Sequence, residues 1–150
     1  MSDSDLIGIA SALMDAFNAG DAAGFKLHIT QNATYDEVGT QRRIEGADGW
    51  VRTWEQWKKT LPDVKGRITN VVVSGNTVVQ EVVWEGTQTG ALPLSGGTHP
   101  PSGRRMATRA TQVLVFEGDK VKENRHYFDM LSLLQQIGAA PSQKTSAAAG

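Results

Sequence analysis

The residue types best suited to chemistry in this chain gather in Arg125-His126-Tyr127-Phe128-Asp129 and the apolar run Met130 to Gly138 that follows. Val121, Glu123, Arg125, Tyr127 and Asp129 recur with period two, so a regular strand would put them on one face. Met130, Leu131, Leu133, Leu134 and Ile137 then recur at helical spacing, and Gly138 suits the left-handed residue that ends a helix. Asp129 therefore stands where a strand becomes a helix, and two roles fit that place. It can cap the helix by accepting hydrogen bonds from the first turn's free N–H groups. Alternatively it can be a general acid or base, a role that calls for an apolar pocket favouring the neutral carboxyl. Arg125 and Tyr127 share its face, and an Arg125–Asp129 ion pair would oppose the acid role. His126 points the other way, which predicts a surface or interface position.

Trp50, Trp54 and Trp57 follow i, i+4, i+7 spacing, which serves either core packing or an aromatic wall against a flat ligand. Trp50 and Trp54 are the better candidates for a cavity. Tyr35 could donate a hydrogen bond to a developing enolate, or simply be a half-buried strand tyrosine. Gln112 shares a face with Thr108, Ala110 and Leu114, so its amide either orients a ligand or is satisfied within the core. His28 and His99 stand alone, and three scattered histidines without ligand spacing predict no metal site. The sequence holds no phosphate-binding glycine loop and no Gly-x-Ser-x-Gly elbow.

The elements that must position these groups follow from the pattern. Leu6, Ile9, Ala10, Leu13 and Phe17 form one helical stripe behind Ser and Asp residues that can cap it. Asp21 can start a second, shorter helix, and Ala33 to Val38 reads as a strand. Gly46 to Leu61 reads as a third helix, stopped by Pro62-Asp63. Long strands are predicted over 64–73, 77–89 and 104–116, and Glu117-Gly118-Asp119-Lys120 forms the turn into the last one. Residues 90–103, rich in Gly and Pro, make a loop long enough to be functional or to overhang a cavity mouth. Helices first and long antiparallel strands afterwards predict an α+β fold: a cone-shaped, strongly curved, mostly antiparallel sheet packed on N-terminal helices, with a short C-terminal helix. Such a sheet leaves one concave, largely apolar cavity for a hydrophobic small molecule.

A length of 150 residues suits a single domain, expected over 1–138, with a disordered tail over 139–150 that carries no large apolar residue. A net charge of −1 gives no electrostatic reason for nucleic acid or an anionic membrane as partner. The absence of cysteine excludes disulfides and thiol nucleophiles. An acidic N-terminus and no apolar run near 18 residues point to a cytoplasmic address by default. Valine-rich outer strand faces predict a homodimer.

Several stretches in order carry a family resemblance. They are Trp57 with Leu61-Pro62-Asp63-Val64; Trp84-Glu85-Gly86-Thr87-Gln88-Thr89-Gly90; Pro100-Pro101-Ser102-Gly103-Arg104-Arg105; and Gly118-Asp119-Lys120-Val121 followed by Asp129 and Leu133 to Gly138. Together they resemble the SnoaL-like polyketide cyclases of the nuclear transport factor 2-like superfamily, with Gln88 where the family's strand usually has His. The resemblance implies intramolecular aldol ring closure without metal or organic cofactor, with Asp129 as the matching acid/base residue. It also implies assisting His and Gln groups on the preceding strand, where this chain offers Gln112 and no His. Two further readings stay open: a non-catalytic binding module using the same cavity, and another hydrolase or isomerase. An epoxide hydrolase would draw on Asp36, Arg125 and Asp129. The substrate-contact set expected from the sequence is thus Tyr35, Trp50, Trp54, Gln112, Arg125 and Tyr127.

Overall fold

The computed structural model describes residues 1–140, so most of the tail expected to be disordered, 141–150, lies outside the described residues. Helix α1 (Asp3–Ala19) starts at a capping box: Ser2 Oγ accepts from Asp5 N–H at 3.1 Å while Asp5 Oδ2 accepts from Ser2 N–H at 3.1 Å. Of the predicted stripe it buries Leu6, Ala10, Leu13 and Phe17 and half-buries Ile9, with Leu6, Leu13 and Phe17 each worth roughly 1.5–3 kcal/mol when removed from water. Gly20, at φ 71°, closes it. Asp21 then caps α2 (Ala22–Lys26) through Gly24 N–H. Helix α3 (Ala47–Thr60) lies within one residue of its predicted bounds.

Strands β1 (Ile29–Glu37), β2 (Arg42–Glu45), β3 (Lys65–Ser74), β4 (Thr77–Thr87), β7 (Arg105–Glu117) and β8 (Lys120–Phe128) form one sheet in the order β2-β1-β8-β7-β4-β3. Only the β1–β8 pairing is parallel; the other neighbours run antiparallel. The α+β architecture is therefore as expected. The curved sheet stays open, with β2 and β3 as its edges, rather than closing into a barrel. Helix α4 (Met130–Gln136) follows β8 directly, and its Gln136 amide bonds the backbone of Ala107 on β7.

The 90–103 loop contains a small hairpin of its own, β5 (Leu92–Leu94) with β6 (Gly97–His99). Its base is fastened by the wholly buried Gln88, whose amide bonds the carbonyls of Gly90 and Pro100 and the N–H of Ser102. Gly90 sits against the end of α3 so closely that a Cβ there would collide with the Lys59 carbonyl. His99 Nε2 reaches the Ile137 carbonyl at 3.0 Å, tying the hairpin to the chain just after α4.

One local irregularity decides which side chains face inward. Val115 pairs with Glu123, yet its neighbour Phe116 pairs with Val121, so β8 has one extra residue, Lys122, in a β-bulge. Val121, wholly buried, is thereby out of phase with Glu123, Arg125 and Tyr127, correcting the single five-residue face expected from period two. The inward set beyond the bulge is Asn124, His126 and Phe128. Among the described residues no helix is long and apolar enough to cross a membrane.

Candidate functional site

The concave face of the sheet and helices α1 and α3 enclose a cavity of about 830 Å³, counted with its open mouth. Cross-strand register explains its polar content. Glu37, His126, Gln112 and Gln80 stand in one inward row across β1, β8, β7 and β4. The adjacent row runs Tyr35, Asn124, Leu114 and Val78. Rings from α1 and α3 cover these rows. Trp50 stacks on Tyr35 with centroids 5.2 Å apart and planes 4° from parallel, and Phe17 meets Trp54 and Trp84 edge-on at 5.4 and 5.1 Å. Among the described residues, no Asp, Glu, Lys or Arg lines the cavity.

A hydrogen-bonded run crosses the floor of this cavity. Trp84 Nε1–H donates to His126 Nε2 at 3.0 Å. An indole N–H can only donate, so Nε2 presents its lone pair and the imidazole proton sits on Nδ1. Nδ1–H then donates to Tyr35 Oη at 2.7 Å, and Tyr35 O–H donates to Glu37 Oε2 at 3.0 Å. Glu37 has no exposed surface, yet its carboxylate is fully engaged. Besides Tyr35 it accepts from Trp57 Nε1 at 3.0 Å, from Thr40 Oγ1, and from Arg42 Nε and Nη2 at 3.1 and 2.7 Å.

The electrostatics follow from those contacts. Burial pushes the Glu37 carboxyl up, but the Thr40 and Arg42 donors, the Arg42 charge and the Trp57 N–H outweigh it and leave its pKa below the ordinary 4.5. Glu37 is thus an ionised anchor. Burial first, and then the Glu37 charge and hydrogen bond, raise the Tyr35 phenol well above its usual 10, so it keeps its proton. Burial pulls His126 down to about 4 with the Glu37 charge only partly opposing, so the imidazole is neutral at physiological pH.

Several polar atoms of the lining have no partner among the described residues: both amide atoms of Asn124, Thr108 Oγ1 and Trp54 Nε1. Leaving a buried donor or acceptor unpaired costs about 1–3 kcal/mol, and native structures rarely do so without a reason.

Of the residues singled out in the sequence, Tyr35, Trp50, Trp54 and Gln112 line the cavity together. Trp50 and Trp54 are buried core residues that also line the cavity. Asp129 lies elsewhere. It is exposed, and its Oδ1 accepts from Ser132 N–H at 3.0 Å as the N-cap of α4. Arg125 and Tyr127 occupy the outer face, Arg125 bonding Glu123 at 3.1 Å and Tyr127 being 43% exposed. Asp36 is also outside, 3.9 Å from Arg43. His126, expected at a surface or interface, is instead only 7% exposed and central to the site, because the face opposite Arg125 is the concave one. Glu37, Trp84 and Asn124 likewise escape the sequence reading. Residues 123–126 are polar on both faces, so hydrophobic contrast is missing there, and the apolar marker that precedes them, Val121, is out of phase across the bulge.

Comparison with known structures agrees with this architecture. TsrD from Streptomyces laurentii superposes with a TM-score of 0.79 at 21% identity, over 93% of this chain and 99% of its own. A candidate SnoaL-like polyketide cyclase from Jannaschia sp. CCS1 gives 0.81 at 21%, over 94% and 98%. IdmH from Streptomyces antibioticus, a candidate polyketide cyclase, gives 0.76 at 22%, over 89% and 98%. At these identities the likeness is one of fold. No curated protein matches the sequence. The family pattern described as SnoaL-like polyketide cyclase spans residues 8–137, most of the described chain, and on that match this protein belongs to the SnoaL-like polyketide cyclase family.

Proposed function

We propose that this protein is a cofactor-independent enzyme that moves a proton at the carbon beside a carbonyl of a compact, largely apolar substrate, with intramolecular aldol ring closure as the specific reaction. The observation that carries this reading is the run Glu37–Tyr35–His126 ending at an uncharged cavity. His126 Nε2 is the base. A C–H flanked by carbonyls takes the place of the Trp84 N–H at the lone pair, the proton passes to Nε2, and the C–H electron pair becomes the enolate. Nδ1–H stays bonded to Tyr35, whose own proton faces ionised Glu37, so the new imidazolium has a carboxylate one hydroxyl away. The unpartnered Asn124 N–H groups of the cavity lining would stabilise the enolate oxygen, as preorganised donors do. The enolate carbon then attacks the second carbonyl, and the resulting alkoxide recovers the proton from Nε2. In this scheme Asp129 is a helix cap.

A binding module remains the second reading, favoured by one observation: both ring nitrogens of His126 already have partners. Deuterium exchange at the α-carbon of a neutral cyclic monoketone, 1-tetralone, in D₂O, followed by proton NMR, separates the two. Wild-type protein is expected to accelerate exchange, His126→Gln to lose about two decades or more of that rate, and Asp129→Asn to keep it. Loss in Asp129→Asn with retention in His126→Gln would make Asp129 the base, and binding without exchange in wild type would leave the binding module.

A further inference from the structure

We infer that Asn124 is the specificity determinant of the cavity, and that it reads a neutral ring compound whose carbonyl has an N–H or O–H donor beside it, as a lactam edge does. This rests on the proposed function only in placing the ligand in the same cavity.

Asn124 is 1% exposed, and neither its Nδ2 nor its Oδ1 has a partner. Its register neighbours cannot supply one. Leu114 on β7 is apolar, and the Tyr35 hydroxyl on β1 is committed to Glu37 and His126. The missing partner must therefore come from the cavity that Asn124 lines. A primary amide offers a donor and an acceptor side by side, and the group that satisfies both at once presents an acceptor and a donor in the reverse order. A ketone alone would leave Oδ1 unpaired, and a carboxylate would leave it facing a second acceptor. Charge on the ligand is disfavoured independently, because among the described residues no ionised side chain lines the cavity and His126 is neutral there. Thr108 Oγ1 and Trp54 Nε1, also unpartnered and also in the lining, remain for a second polar group on the same ligand. The parallel Tyr35–Trp50 stack and the edge-on Phe17 and Trp84 rings give that ligand flat apolar walls.

Calorimetric titration of the full chain with three fused two-ring probes tests this. The probes are 2-quinolone, which carries both donor and acceptor; N-methyl-2-quinolone, which keeps only the acceptor; and 2-naphthoate, which is charged. The first is expected to bind about tenfold or more tightly than the second, the ratio one hydrogen bond and one unpaired acceptor produce, and 2-naphthoate to bind weakest. Asn124→Leu should bring the two quinolones to within about twofold of each other, with unliganded thermal stability no lower than wild type, since an unpaired amide has been removed. Equal binding of the quinolones to wild type, or no binding of 2-quinolone, overturns the inference and assigns the Asn124 amide to water alone. So does a tenfold preference that survives in Asn124→Leu. Binding is read without turnover, so this ranking and the α-exchange assay on His126→Gln fail independently.

Discussion

At the scale of single residues, the site turns on a donor that cannot accept. The neutral imidazole of His126 could carry its proton on either nitrogen, and only one choice leaves Nε2 unprotonated. Trp84 makes that choice, because its indole N–H occupies Nε2 at 3.0 Å and forces the ring proton to Nδ1, toward Tyr35. A second constraint acts from the other end: ionised Glu37 takes the Tyr35 proton, leaving the phenol oxygen as the acceptor for Nδ1–H. Removing Trp84 should relax the first constraint without touching the second. In Trp84→Phe, ¹⁵N NMR of the labelled imidazole is expected to show loss of the pure Nδ1–H tautomer in favour of a mixture with Nε2–H, while wild type shows Nδ1–H alone. An unchanged spectrum would mean that Tyr35 and Glu37 suffice to hold the tautomer.

At the scale of elements, the junction between β8 and α4 shows what could be read from sequence and what could not. The junction itself, the helix after it and the stop at Gly138 were legible, because apolar spacing and a helix-ending glycine are strong local signals. The direction in which β8 side chains point was not. Alternation fixes a face only when one face is apolar, and Glu123, Asn124, Arg125 and His126 offer no such contrast. Val121 appeared to supply the missing phase, and the bulge at Lys122 reverses it. By contrast, α3 and β7 are regular where Trp50, Trp54 and Gln112 line the cavity, so for these residues spacing translates directly into direction. The Asp129 cap gives a stability test at this scale. Asp129→Ala should lower unfolding free energy by about 1 kcal/mol, and Asp129→Asn by a few tenths at most, because Asn caps as well as Asp. Urea midpoints at neutral pH check both. An equal loss in the two variants would show that the charge of Asp129, rather than its capping hydrogen bond to Ser132 N–H, is what matters there.

At the scale of the whole molecule, one buried network joins pieces that are distant in sequence. Glu37 on β1 is bonded by Arg42 at the start of β2, by Trp57 on α3 and, through Tyr35 and His126, by β8 and β4. Protons that enter this network should therefore loosen the sheet and its covering helix together. The sign follows from the folded-state shifts. His126 is held down to about 4 against an ordinary 6.5, so below pH 6.5 the unfolded chain binds a proton that the folded chain refuses. Stability is full above that pH, falls between 6.5 and 4, and loses no more from this residue below 4. Such a shift gives a loss of about 2 kcal/mol by pH 5 and roughly 3 kcal/mol when complete. Glu37, whose pKa is lowered by its donors, adds a second decline that begins below its ordinary 4.5. Urea titrations across pH 7.5 to 3.5 should thus show a plateau, a first fall and then a steeper one in wild type. His126→Gln cannot take up the proton, so it should start from a different plateau but stay flat to about pH 4.5 and fall only below it, with Glu37 first and then with Asp63 and Asp5, whose backbone hydrogen bonds also lower their pKa values. If His126→Gln keeps the wild-type slope between pH 6.5 and 4.5, the imidazole is charged or solvated in the folded protein. Its role as a neutral base at the centre of the cavity would then have to be given up.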